Sequence, residues 1–316
     1  MTNQPSWGVT ATVKAPTRDV LNFAAHHLDL GAERVSVYLD APDNTAHSAL
    51  NAHPKCRAIT TDASYWHIHG YRPIKHQVRQ QVNATHCLTH EPGTDWLAHL
   101  DVDEFLWPGD TSLAAQLAAL PNDTFSARSH PVEAMAPDPA DPPPAGAQWF
   151  KSCATGPSQR RTETAAIYPG FGTYLVGGFL SHVQGKVFIR TGRPSTGLRI
   201  HHATQDGEND TPAPLTGTNL CHLHATGFDH WNKHYRYRIK KGAYRPSIKP
   251  APGSDTTLHS LLCQLEAQGG DALRNFYDQI CRATPALRAR LAAYGHLHLI
   301  RLDLDKKRAR HFPDFA

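Results

Sequence analysis

Apolar and polar positions alternate over residues 9–13 and again over residues 34–40. In the second run Val35, Val37 and Leu39 fall on one side and Arg34, Ser36 and Tyr38 on the other, the period of a strand. Between the two runs Val20, Leu21, Ala24, Ala25 and Leu28 recur at helical spacing, with Thr17 placed to cap the helix and Gly31 just past its end. The pattern therefore predicts strand, helix, strand. Pro42-Asp43-Asn44 reads as a turn into a short helix ending near Ala52, followed by a strand at residues 56–60. A helix is predicted at 74–90, with Val78, Gln81-Val82 and Cys87 in a rough stripe. A strongly apolar strand at 96–100 then runs straight into Asp101. A helix at 112–120 and a strand at 124–130 complete the first half.

Residues 136–147 are rich in Pro and Asp and read as a loop. Residues 186–190 and 198–202 read as a hairpin around Gly192-Arg193-Pro194. From Phe228 the pattern turns helical, at 231–241, 256–268, 271–282 and 285–294. The expected organisation is one catalytic domain, 1–227, with a helical C-terminal extension, 228–316. Strands alternating with helices across short links argue for an α/β fold with a mostly parallel sheet. Ligands in such sheets bind beyond the carboxyl ends of the strands, which is where Asp40 and Asp101 fall.

Composition narrows the picture only a little. The 316 residues are 40% hydrophobic, enough for a normal core, and the formal charge of +4 does not call for nucleic acid as a partner. Basic residues bunch at 233–245 and 306–310; these segments read as solvated faces or as a phosphate-binding or membrane-surface patch. The six cysteines contain no CxxC pair and read as reduced thiols. With no signal-like apolar run and no spanning stretch, the expected setting is the cytoplasm, with peripheral contact at the inner face of the membrane through the basic C-terminal region.

The chemistry concentrates in Asp101-Val102-Asp103. On an extended chain these two carboxylates share one side. So close together they repel and resist desolvation, a conflict that a divalent cation removes. Hard oxygen donors select Mg²⁺ or Mn²⁺, ions that bridge protein carboxylates to substrate phosphates. Phe105 and Leu106 return the chain to the core and pin the acidic segment at the sheet's edge.

The run WLAHLDVDEFLWP resembles the metal-binding segment of a glycosyltransferase family 2-like group with a D-x-D-E-F motif. Phe23 to Ala32, Val35 to Asp40 with Asp43-Asn44, and Gln77 to Asn83 resemble that group's opening in the same order. The likeness continues more loosely through Gly185-Lys186-Val187, His201-His202 and His222-Leu223-His224. Lys14-Ala15-Pro16 stands where many relatives have an Asn-Glu pair. The resemblance implies a GT-A fold, a Rossmann-like sheet that binds a nucleoside-diphosphate sugar and a divalent metal. By it Asp101 and Asp103 line the metal–diphosphate site, and Asp40 reaches the base or ribose.

Such enzymes often complete the metal shell with a late histidine. His224 is the preferred choice, with His222, His201 and His202 as alternatives. Lys186 and Arg190, on one strand face, suit the charge of a departing diphosphate, and Arg18 the nucleotide. Trp231, Tyr235 and Tyr237 among cations suit a sugar, or else a core. An inverting transfer also needs a base, for which Glu133 is the leading candidate and Asp229 and Glu104 the alternatives, while Asp103 is expected at the catalytic centre. The expected activity is metal-dependent sugar transfer from a nucleotide-sugar to a glycan or glycolipid. The rivals are a nucleotidyltransferase, against which the single glycine of Trp7-Gly8-Val9-Thr10 argues, and a non-catalytic carbohydrate-binding relative.

Overall fold

The computed structural model describes residues 4–90 and 92–315. In chain order the first stretch runs β1 (Trp7–Val13), α1 (Thr17–Asp29), β2 (Arg34–Leu39), α2 (Asn44–Ala52), β3 (Cys56–Thr60), α3 (Ala63–Ile68), α4 (His76–His90), β4 (Trp96–His99), β5 (Glu104–Pro108), α5 (Leu113–Ala118) and β6 (Ser126–Ala134). The middle holds β7 (Gln148–Lys151), α6 (Pro157–Ile167), β8 (Lys186–Arg190), β9 (Thr196–Leu198), β10 (Ala203–Gln205), β11 (Glu208–Asn209) and β12 (Ala213–His222). The last third holds α7 (Phe228–Lys240), α8 (Leu258–Gln268), α9 (Gly270–Cys281), α10 (Pro285–Ala293), β13 (Leu297–Ile300) and α11 (Leu304–His311).

Contacts divide the chain into two interleaved units rather than at 227/228. The first comprises residues 1–130, 184–220 and 303–316; the second comprises 131–183 and 221–302. The last helix accounts for residues 303–316. α11 packs on α1, so the end of the chain returns to the first unit. Its basic run is neutralised there: Arg310 pairs with Asp29, Lys307 lies 3.7 Å from Asp29, Lys306 3.1 Å from Asp303 and Arg308 2.7 Å from Asp305. Lys307 and Arg308 are largely covered by these pairs, whereas Lys306 and Arg310 remain mostly exposed.

The first unit is an α/β layer built on a mostly parallel sheet flanked by helices, as expected. β4, β1, β2 and β3 run parallel in that order, and β8 and then β6 extend the β4 side antiparallel. β1 is buried along its whole length, so Thr10 and Thr12, the polar members of its alternating pattern, face the interior as well. On one face of the layer Ala84, Cys87 and Leu88 of α4 pack with Tyr38, Leu97, Val187 and Ile189. Caps start the helices where short polar side chains precede them: Asp43 for α2, Asp62 for α3 and Ser112 for α5. Thr17 does not cap α1. Pro16 occupies that position, and the Thr17 hydroxyl donates to Asp43 Oδ2 at 2.9 Å.

The expected hairpin of residues 186–190 with 198–202 does not form. β8 is taken up by β4 and β6, and β9 pairs instead with β10. In the second unit β13, β7 and the end of β6 form an antiparallel group. α7, α8, α9 and α10 close over a core containing Trp231, Tyr235, Leu262, Phe276, Ile280 and Leu291. Among the described residues no helix is long and apolar enough to cross a membrane.

Candidate active site

β4 is fully buried through His99 and Leu100, and the chain then turns at residues 101–103 before β5 begins. This brings Asp101 and Asp103, both half-buried, to the carboxyl edge of the parallel strands. β8 runs antiparallel to β4 with Phe188 opposite Ala98, so Lys186, two residues earlier, arrives beside Asp101. Its ammonium donates to Asp101 Oδ2 at 2.8 Å and lies 3.2 Å from Glu104 Oε2. Glu104 Oε2 also accepts the Asp101 backbone N–H at 2.8 Å, and Gln80 of α4 donates to Asp101 Oδ1. Asp101 is thus held from both oxygens.

Lys186 is 1% exposed. Burial alone would lower its pKa, but Asp101 and Glu104 more than offset that and hold it above the ordinary lysine value. A buried ammonium is tolerable only with such paired, hydrogen-bonded partners. Gly185 makes the approach possible. Its φ is +66°, and a Cβ there would sit 2.0 Å from the Ser129 carbonyl oxygen. The Gly185 carbonyl in turn accepts from His201 Nδ1 at 2.9 Å, which leaves the lone pair on Nε2. Burial, then Lys186, push His201 down to about 4, so it is a neutral imidazole near pH 7. His99 beneath the site is neutral for the same reason, pushed down to about 3 by burial and Lys186, and its buried Nε2 has no hydrogen-bond partner among the described residues.

Asp40 also lies at the carboxyl edge, immediately after β2, but its side chain is only 1% exposed. Burial would raise its pKa, yet His76, Arg79 and Arg72 together hold it far below the usual carboxylate range. Arg79 binds it bidentately at 2.7–3.0 Å, and Arg72 donates at 2.9 Å. The expectation that Asp40 itself reaches a nucleotide is corrected: its oxygens are filled by guanidinium groups. Arg72, half exposed, is the member of the cluster open to a ligand.

Other expected site residues have structural surroundings. Arg18 is exposed and paired with Asp305 at 2.8 Å. Arg190 lies over the Trp96 ring and donates to the Thr124 carbonyl at 2.7 Å. Trp231 and Tyr235 are core residues, whereas Tyr237 is 57% exposed. Glu133 is fully buried in the second unit. Its oxygens accept the Leu180 and Ser181 N–H groups, and Lys151, also bonded to the Gly178 and Ile280 carbonyls, lies 3.2 Å away. A carboxylate so enclosed has no access to an acceptor hydroxyl, and the expectation of a general base there is corrected. Glu104 is equally buried, and Asp229 is exposed beside Arg274.

His224 belongs to the second unit, where Nε2 lies 3.4 Å from the Tyr244 hydroxyl and burial keeps the ring neutral. His222 stands 5.0 Å from it, ring to ring. In the first unit, Asp101 and Asp103 offer hard oxygen donors that fit a divalent cation. Lys186 already shares the charge of Asp101, so such an ion would use the remaining lone pairs. Sequence reasoning passed over Arg72, His76, Arg79, Gln80 and His99. The polar spacing His76, Arg79, Gln80, Asn83 marks one face of α4, and only the structure shows that it turns inward.

No curated protein matches the chain. Among solved structures, the crystal structure of HddC from Yersinia pseudotuberculosis is similar over 69% of this chain and 76% of that one, at 8% identity and a TM-score of 0.29. A model of glycosyltransferase family 92 matches residues 13–249. The match is to family 92 and not to the family 2-like group that the D-x-D-E-F run resembles, and the two agree on sugar transfer. Three quarters of the chain, including the acidic turn, Lys186 and the Asp40 cluster, lie inside the matched span, and the protein belongs to glycosyltransferase family 92.

Proposed function

We propose that this glycosyltransferase takes a hexose from a nucleoside-diphosphate sugar and passes it to a hydroxyl of a glycan or glycolipid, with the donor's diphosphate at the carboxyl edge of the first unit. The observation that carries this reading is the Asp101–Asp103 turn, locked in place by Lys186, Glu104 and Gln80 at the end of a buried strand. Asp101 and Asp103 would hold Mn²⁺ or Mg²⁺, which when bound supplies positive charge to the leaving diphosphate.

The chain's own residues do the rest by preorganisation. Lys186 is too buried to meet the diphosphate, so it acts through Asp101 as a positioning residue. Asp40 likewise acts through Arg72, whose exposed guanidinium suits a phosphate or a ribose hydroxyl. His99 and His201 remain neutral beneath the acidic turn and add no repulsion toward a cation.

Asp101→Ala and Asp103→Ala are each expected to remove turnover by at least ~10²-fold. EDTA should do the same to the wild type, with recovery on adding Mn²⁺ or Mg²⁺. Nucleotide-sugars should raise the melting temperature more with Mn²⁺ than without it. Release of a nucleoside diphosphate supports sugar transfer, and release of pyrophosphate would assign the chain to nucleotidyl transfer. Undiminished turnover in both aspartate variants would rule the reading out.

A further inference from the structure

The segment joining α3 to α4 turns its largest apolar side chains to solvent. Ile68 is 82% exposed, Tyr71 70% and Ile74 97%, and Val78 on the first turn of α4 adds a fourth at 37%. Single exposed hydrophobics are ordinary, but four within eleven residues form a patch that calls for a partner. The display is built rather than loose. Arg79 donates to the Pro73 and Ile74 carbonyls at 2.8 and 2.9 Å, while Arg79 and Arg72 are both anchored on Asp40. The backbone is pinned while the side chains point out.

The segment's own charge has one sign, and the carboxylate that meets it, Asp40, is buried beneath it. Between Asp62 and Glu91 the sequence contains no acidic residue, and Arg72 and Lys75 stand among the exposed apolar side chains, with His67, His69 and His76 nearby. Aliphatic and aromatic tips interleaved with cations match an interface that is apolar below and anionic above.

We propose that residues 68–78 dock the protein peripherally on an anionic lipid bilayer, with Ile68, Tyr71 and Ile74 entering the interface and Lys75 meeting headgroups. The Asp40 cluster at the foot of this segment then faces the lipid surface. If the sugar-transfer reading holds, the acceptor is lipid-borne. That consequence rests on the proposed function, whereas the docking itself does not.

The test is sedimentation of the full chain with phosphatidylcholine vesicles, with and without phosphatidylglycerol. Each cation near an anionic surface contributes about fivefold, so binding to the anionic vesicles should exceed neutral binding by at least ~10-fold and fall as salt rises. The triple variant Ile68→Ser, Ile74→Ser, Lys75→Gln should lose that advantage while melting like the wild type, because all three side chains are exposed; Lys306→Gln should bind unchanged. Equal binding to both vesicle types, or a triple variant that binds like the wild type, overturns the proposal. A wild-type dimer in sedimentation velocity that the triple variant abolishes would assign the patch to a second copy and overturn it as well. Since no turnover is measured, this result stands or falls independently of the aspartate variants.

Discussion

At the scale of single residues, the site is organised by one buried ammonium. Lys186 neutralises Asp101 and Glu104 together, and its removal takes the lysine counter-charge from a fully buried carboxylate at Glu104. Lys186→Met is expected to cost about 3–5 kcal/mol in urea denaturation, the usual result of breaking a buried pair from one side. Adding Glu104→Gln should return part of that loss, because it removes the charge the methionine cannot meet. A single variant as stable as the wild type would show that Lys186 does not hold the acidic turn together. Sequence reading placed Lys186 near the diphosphate from its strand position, and position alone could not reveal that its head group faces protein rather than ligand. Glu133 shows the same limit: its place after a strand suits a base, yet two backbone N–H groups and Lys151 enclose it.

At the scale of elements, α4 carries more of the site than its apolar stripe suggests. His76, Arg79, Gln80 and Asn83 follow helical spacing and face Asp40, Asp101 and Thr12. Polar residues at that spacing read as a solvated face, so the sequence signal pointed outward. Arg79→Ala is expected to cost about 3 kcal/mol. It should also speed hydrogen exchange across residues 68–76, because it releases Asp40 and the Pro73 and Ile74 carbonyls together. Unchanged exchange there would show that the segment is held by other contacts. Helix starts, by contrast, were legible where a capping side chain preceded an apolar run, as at Ser112. α6 and β13 left no comparable signal, since α6 is mostly polar and β13 has only four residues.

At the scale of the whole molecule, buried neutral histidines tie stability to pH. Burial pushes His27 and His99 down to about 3 and, together with Lys186, His201 down to about 4, against an unfolded value near 6.5. Below 6.5 the unfolded chain therefore binds more protons than the folded one, so stability falls as pH drops and levels off above that value. Each such group contributes about 1.4 kcal/mol per pH unit across that window. The midpoint of urea denaturation should thus decline steeply from about pH 6 to pH 4, and a flat profile would contradict the burial of these rings. Replacing His99 with Leu should shallow the slope, since one of the coupled protons is then gone.

Local pattern determined the strands β1 to β4, most of the helices and the place of the acidic pair after β4, which the structure holds in a turn and not on an extended chain. These depend on side-chain periodicity, caps and the contrast between an apolar run and the carboxylates after it, all of which act over a few neighbouring residues. Tertiary structure alone decided that α11 returns to α1 and pairs part of its basic run there. It also decided that β8 pairs with β4 rather than with its sequence neighbour, and that Asp40 binds arginines from α4 and the segment before it. Those outcomes depend on which charges and strand edges meet across tens to hundreds of residues. A carboxylate's role is set by the partners that reach it in space, and its own sequence position does not specify them.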